Sequence, residues 1–351
     1  MLAVVLGCNT HWAPYYRRYE EILDNSQVEY DLILWNREGL TENVKGHLIE
    51  YSMTDETNNG SFSKIHKFFS FACFVKNKLK TGKYSKVIFL GTYAGVPAFI
   101  SRFLKHKFKN RYWIDIRDIT YETFKPFYWL EKVAIENSKE VVISSKGFAE
   151  YLPKLDYRII HNIDPMMEDL VLRYHHTQSD KIRISYIGNI GYWDSCKEFI
   201  DIFGNDARFE MHFIGNGVDK VQTYCEEHGI KNTLFKGKFP RERTVDYYND
   251  TDVVYNVYGN GTTNVRTAAS NKLYYSLRLG LPLLVSTNTY MEDICQEYNV
   301  GISFENSQNF PDKLYFWLKR NEGKMNFEKA WEQFNAEDRR VEKDIINFVN
   351  N

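Results

Sequence analysis

Residues Ser270–Pro282 read SNKLYYSLRLGLP. Ser270 is a good helix N-cap, because its hydroxyl can accept from an orphan backbone N–H. Gly280 suits the left-handed position just past a helix end, and Pro282 suits the opening of the next strand. The spacing predicts a helix of about two to three turns between them. A helix start presents free N–H groups and a partial positive charge, which favour phosphate. Lys272 falls in the first turn and adds a full positive charge, with Tyr275 on the same face. The segment therefore reads as a diphosphate cradle at the carboxyl end of a strand. The same spacing also suits an ordinary capped helix with an exposed lysine.

Outward from this helix, short apolar runs alternate with helical patterns. In the second half the expected strands are Ile182–Ile187, Phe209–Ile214, Thr233–Lys236, Asp252–Asn256, Pro282–Ser286 and Gly301–Phe304. The helices between them are Cys196–Phe203, Val218–His228, Arg241–Asn249 and Ser270–Leu279. The first half repeats the scheme. Its strands are Leu2–Leu6, Asp31–Trp35, Lys86–Leu90, Tyr112–Ile116 and Val141–Ser144, and its helices Pro14–Asp24, Phe62–Lys80, Val96–Lys107 and Phe127–Asn137. Such alternation makes βαβ units and parallel sheets. A polar stretch near Asn162–Asp180 divides the halves, and an amphipathic helix over Phe327–Val349 closes the chain. The expectation is an α/β protein with two Rossmann-like domains, 1–165 and 166–325, and a terminal helix, 326–351, packed back on the first. Ligands of open parallel sheets sit at the carboxyl ends of the strands. Two such domains facing across a cleft would hold two ligands face to face.

Composition narrows the classes. The chain has 351 residues, 43% hydrophobic and 16% aromatic, which suits two packed domains and excludes disorder. Five scattered cysteines with no CxxC pair argue against a disulfide framework or a zinc site. The opening apolar run, MLAVVL, is too short for a signal peptide, and no stretch is long enough to span a bilayer. The expected location is cytoplasmic, peripheral at the inner face of the plasma membrane. Net charge is −1, yet 57–114 holds twelve Lys or Arg and no Asp or Glu. Aromatics interleaved with lysines across 62–111 favour an anionic bilayer, at about 1 kcal/mol per basic residue near the surface. They equally suit helices that bury their Phe residues and solvate their lysines. No nucleic-acid module is present, so nucleic acid is not an expected partner.

Other candidate residues follow from position. The loop Gly188–Gly191 follows a strand, so its backbone, with Asn189, can approach a sugar or phosphate closely, and a plain tight turn is the equal alternative. Gly215 follows another strand, but Lys220 takes the third glycine position of a dinucleotide fingerprint, which weakens an NAD reading. Arg266 can meet a phosphate bidentately, from a Gly/Asn-rich loop at 256–266 that would serve as a lid. Asn271 joins Ser270 at the helix start. In the first half Asp118 ends a strand and can deprotonate an acceptor hydroxyl, orient the acceptor, or pair with Arg117. Asn9 and His11 follow the first strand and can bind sugar hydroxyls, although a lone histidine more often has a structural role. Cys8 lacks an identifiable acid partner, so a nucleophilic role is not expected. No metal site is expected.

The string NKLYYSLRLGLPLLVS resembles the K-L-x-E-Y-x-x-x-G-x-P-V stretch of GT-B glycosyltransferases of family 4, or group 1. WIDIRDI, EVVISSKGFAEYL, HNIDP, ISYIGNIG, MHFIGNG and FKGKFPRERTVDYYNDTDVVYNVY resemble further family segments in the same order, over roughly residues 85–305. The resemblance implies a GT-B fold and a nucleotide-diphosphate sugar as donor substrate, with no cofactor. It implies basic phosphate contact by Lys197, where a solvated lysine is the alternative, and nucleobase contact near Gly237, where a plain turn is the alternative. Family members carry two Glu residues eight positions apart, which fall here at Thr267 and Tyr275. The expected function is metal-independent hexosyl transfer to a glycan acceptor, lipid-linked, in capsule or other surface polysaccharide assembly. Loss of both acids also allows a non-catalytic GT-B subunit partnering an active transferase. A sugar-nucleotide epimerase is a third reading.

Overall fold

The computed structural model describes residues 1–53, 61–91, 95–163, 167, 170 and 180–351, and of residues 61–65 it describes the backbone. The chain forms two compact units, Met1–Pro165 with Asn335–Asn351, and Met166–Phe334. Most of the polar stretch 162–180, including Asp164 and Pro165 of the HNIDP segment, lies outside the described residues.

The first unit is built on strands β1 (Leu2–Leu6), β2 (Tyr30–Trp35), β3 (His47–Tyr51), β4 (Lys86–Leu90), β5 (Tyr112–Ile116), β6 (Glu140–Ile143) and β7 (Arg158–Ile159). They form one parallel sheet in the order β3-β2-β1-β4-β5-β6-β7. Every residue of β1 and β2 is buried, as strands covered by helices on both faces must be. Helix α1 (Tyr16–Asn25) buries Tyr16, Tyr19, Ile22 and Leu23 against β1 and β2. Helices α2 (Ser61–Thr81), α3 (Val96–Phe99), α4 (Ser101–Lys107) and α5 (Lys125–Glu136) complete the unit.

In the second unit β8 (Ile182–Ile187), β9 (Phe209–Ile214), β10 (Thr233–Lys236), β11 (Val253–Asn256), β12 (Leu283–Val285) and β13 (Gly301–Ser303) form a parallel sheet. Their order is β10-β9-β8-β11-β12-β13. Helices α6 (Trp193–Phe203), α7 (Val218–Glu227), α8 (Thr244–Asn249), α9 (Thr263–Thr267), α10 (Asn271–Leu279), α11 (Tyr290–Tyr298) and α12 (Phe310–Asn321) accompany it. Helix α13 (Phe327–Asn350) begins in the second unit and ends in the first. There Val341, Ile345 and Phe348 join the core that holds Val4, Leu23 and Trp113. Asp338 fixes this end, accepting from Arg18 at 2.5 Å and from the His161 backbone at 2.6 Å.

Several elements differ from the sequence expectation. β3 is an edge strand whose half-exposed HLIEY lacks the all-apolar run of its buried neighbours. α11 and α12 carry polar faces and stood outside the expected set, although Thr289 caps α11 through the Glu292 backbone N–H. The expected helix over Val96–Lys107 is two pieces, because Ile100 leaves helical geometry at φ −107°, ψ 16°. The expected loop at 256–266 contains the start of α9.

Candidate functional site

In both sheets the strand order reverses once, between β1 and β4 and between β8 and β11. Outside the carboxyl ends of strands at such a reversal, loops part and leave a crevice for a ligand. The second unit places Gly188, at the end of β8, there. Gly188 follows β8 with φ +117°, and Gly215 follows β9 with φ +134°, both unfavourable for a side chain. A Cβ on Gly215 would lie 1.9 Å from the Gly188 carbonyl oxygen. The Gly188 N–H donates to Ile214 at 2.8 Å and the Gly215 N–H to Lys236 at 2.9 Å. The two loops are thus packed backbone on backbone.

Lys272 points into this loop from α10. Ser270 caps the helix by accepting from the Lys272 backbone N–H. The lysine side chain is buried, at 9% relative exposure. That removes the ordinary exposed-lysine alternative. Its Nζ donates to the Tyr258 hydroxyl and lies 5.2 and 5.1 Å from the Tyr186 and Tyr258 ring centroids. A Cβ on Gly188 would be 3.8 Å from it. Tyr192 stacks on Tyr258, with centroids 4.4 Å apart. Among the described residues no carboxylate forms an ion pair with Lys272. Burial pushes its ammonium down to about 7. A buried cation with aromatic rings and one phenol for company is under-compensated, and an arriving anion would restore its charge.

The neighbouring segments are anchored. The N–H groups of Tyr258 and Gly259 both donate to Ser286 Oγ at 2.9 Å. Arg266 reaches back to the Asn260 carbonyl at 3.4 Å. Asn189 accepts from Asn216 at 3.3 Å, and a Cβ on Gly191 would meet Asn189 at an ordinary 3.6 Å. Asn271 is exposed at the helix start. Thr267 is buried and donates to the Thr263 carbonyl at 2.8 Å. Tyr275 is buried and stacks on Tyr248 at 4.6 Å. Lys197 lies exposed on α6, 5.6 Å over the Tyr224 ring. Gly237 is exposed, and a Cβ added there would meet nothing within 4 Å, so packing does not require glycine at that position. The structure thus groups Gly188, Ser270 and Lys272, and adds Tyr186, Tyr192 and Tyr258. Those three tyrosines look like core aromatics in the sequence, and only the pairing of β8 with β11 brings two of them to one lysine.

The first unit is braced differently. Asn9, fully buried, donates to Asn36 and Glu42 at 2.8 Å and accepts from the backbones of Arg37 and Glu38 at 2.9 and 3.3 Å. All its hydrogen-bonding capacity shapes the loop. His11 is half-exposed, 3.3 Å from Glu38. Asp118 is half-buried after β5, and its charge, with that of Glu42, helps to raise the Cys8 thiol. Burial is the larger cause, and together they push that thiol up to about 11, so it stays protonated. Arg117 is paired with the buried Asp115 at 2.5 Å.

No protein-family model and no curated protein matches the chain. Solved structures do. Sucrose-phosphate synthase from Thermosynechococcus elongatus superimposes with a TM-score of 0.68 at 11% identity, over 100% of this chain and 94% of that one. Anabaena HepE in complex with UDP gives 0.67 at 10% identity, over 98% and 99%. A UDP-N-acetylglucosamine 2-epimerase gives 0.63 at 11% identity, over 100% and 97%. The fold of the chain is GT-B, with two Rossmann-like parallel-sheet units.

Proposed function

We propose that the chain is a glycosyltransferase that moves a sugar from a nucleotide-diphosphate sugar onto a glycan acceptor. The observation that carries this reading is Lys272: a buried ammonium with no carboxylate partner among the described residues, at a helix start beside a glycine loop. Such a site stabilises the charge that develops on a leaving diphosphate. Similarity to a protein solved with UDP, and to one named for UDP-N-acetylglucosamine, supports a nucleotide-sugar donor. In this reading the second unit holds the donor and the first the acceptor. The acceptor hydroxyl attacks the anomeric carbon, the bond from that carbon to the diphosphate breaks, and Asp118 takes the hydroxyl proton. The reaction needs no metal or other cofactor, because Lys272 and the helix start carry the diphosphate charge.

The acceptor is lipid-linked, and the product belongs to surface polysaccharide assembly on the cytoplasmic side of a membrane. Support comes from the basic stretch 57–114. Phe69 on α2 and Phe124 and Trp129 of the α5 region are exposed, and Lys132 lies 5.2 Å over Trp129. Among the described residues no helix is long and apolar enough to cross a membrane.

The test is a thermal-shift and turnover series with UDP and GDP sugars, comparing the native chain with Lys272→Ala. Stabilisation by a nucleotide that the variant loses supports the donor site, and an unchanged response in the variant overturns it. Thr267 and Tyr275, in place of the family's acids, favour a second reading as a nucleotide-binding subunit without chemistry. That reading predicts nucleotide binding with no transfer to any acceptor.

A further inference from the structure

The loop after β1 ends in a short turn, Thr10–Trp12, that presents Trp12 to solvent at 66% relative exposure. This ring is held in place. Its indole N–H donates to Glu38 Oε1 at 2.6 Å, and the other oxygen of Glu38 lies 3.3 Å from His11 Nε2. The His11 and Trp12 rings stand 5.1 Å apart at 44°. The base of the turn is fixed by the four hydrogen bonds of Asn9 and by the Thr10 hydroxyl, which donates to Glu42 at 2.5 Å. Asn36 extends the brace to Glu50 at 2.9 Å and to the Leu40 carbonyl at 2.7 Å. Leu40, on the same pair of loops, is itself exposed.

We propose that Trp12, flanked by His11 and Glu38, is the platform on which a pyranose ring of the acceptor stacks. This inference rests on the acceptor reading of the first unit. With the indole N–H already satisfied, the open part of the side chain is the apolar ring face. A pyranose offers the matching surface, a face of C–H groups bordered by hydroxyls. Glu38 sits at the ring edge and His11 beside the ring, within reach of those hydroxyls. The charged groups bonded to the turn, Glu38 and Glu42, are acidic, which disfavours an anionic bilayer here. The other exposed indole, Trp129, lies instead beside Lys132 on α5. The loop position, at the carboxyl end of β1, is where open sheets receive ligands. Because the ring is fixed before binding, little side-chain entropy is lost on contact.

The experiment follows the indole N–H signals of the seven tryptophans in a 15N-labelled protein. The Trp12 signal is the one missing in Trp12→Phe. Methyl glucoside, galactoside, mannoside and N-acetylglucosaminide are titrated in turn, with UDP as a separate arm read by melting temperature. The expected result is that at least one pyranoside shifts the Trp12 signal, and that Trp12→Ala binds it roughly three- to tenfold more weakly. Trp12→Phe should retain most of that binding. The platform is overturned if none of the pyranosides moves the Trp12 signal. If UDP still stabilises the native chain in that case, the donor reading stands and the platform alone fails. If UDP also has no effect, the donor reading fails with it.

Discussion

Lys272 and Asn9 are both polar, both buried, and both close to the carboxyl ends of central strands. Among the described residues one is served by a single phenol and two ring faces. The other has every hydrogen-bonding position filled within the protein. Burying a polar group costs free energy unless partners replace water. Asn9 meets that cost locally, so it is a brace. Lys272 does not among the described residues, which is the reason for proposing an anion there. The contrast teaches that burial alone does not mark a site, and that the count of partners does.

The largest expected effect breaks the Lys272 side of this contrast. Lys272→Ala should lower turnover by roughly 10²–10³-fold, as does loss of one transition-state donor elsewhere. Steady-state kinetics with the best nucleotide sugar measure it. Next comes the frame that aims the lysine. Gly215→Ala places a Cβ on the Gly188 carbonyl at a positive φ, and should cost about 2–4 kcal/mol by chemical denaturation. Asn9→Ala should cost about 1–3 kcal/mol, because it strands donors and acceptors on Asn36, Arg37 and Glu42. Its effect on UDP binding should be absent, and a lost UDP response would blur the distinction drawn above.

The smallest step is a pH dependence, about 1.4 kcal/mol for each pH unit. The folded lysine titrates at about 7 against 10.5 for the ordinary group. Between those values the unfolded chain binds more protons than the folded one, so the ligand-free protein should gain stability as pH rises. Lys272→Met should flatten that rise. Nucleotide diphosphate binding should run the other way, weakening by up to tenfold per pH unit above about 7, since the bound anion needs the charged lysine. Calorimetric titration of UDP across that range checks it, and equal slopes in native and Lys272→Ala proteins would refute the link.

The helix at Ser270–Pro282 was legible because its signals are local. The cap at Ser270, the left-handed Gly280 at φ +72° and the buried strand after it each depend on a few adjacent residues. The central strands were legible for the same reason, since all-apolar runs admit few other structures. The polar-faced α11 and the half-exposed β3 were not, because their apolar residues do not form a continuous run. Asn9 read as a binder of sugar hydroxyls, and its bracing role was not legible, since its partners lie 27 to 33 residues away.

The sequence by itself therefore determined the alternation of strands and helices, the cap and its lysine, and the acid-free stretch at 57–114. Only the tertiary structure decided that Lys272 is buried rather than solvated, that Tyr186 and Tyr258 flank it, and that Gly215 is pinned by Gly188. Each of those facts depends on which strands lie side by side. Strand order is fixed by packing the whole sheet between its helices, not by any short window of residues.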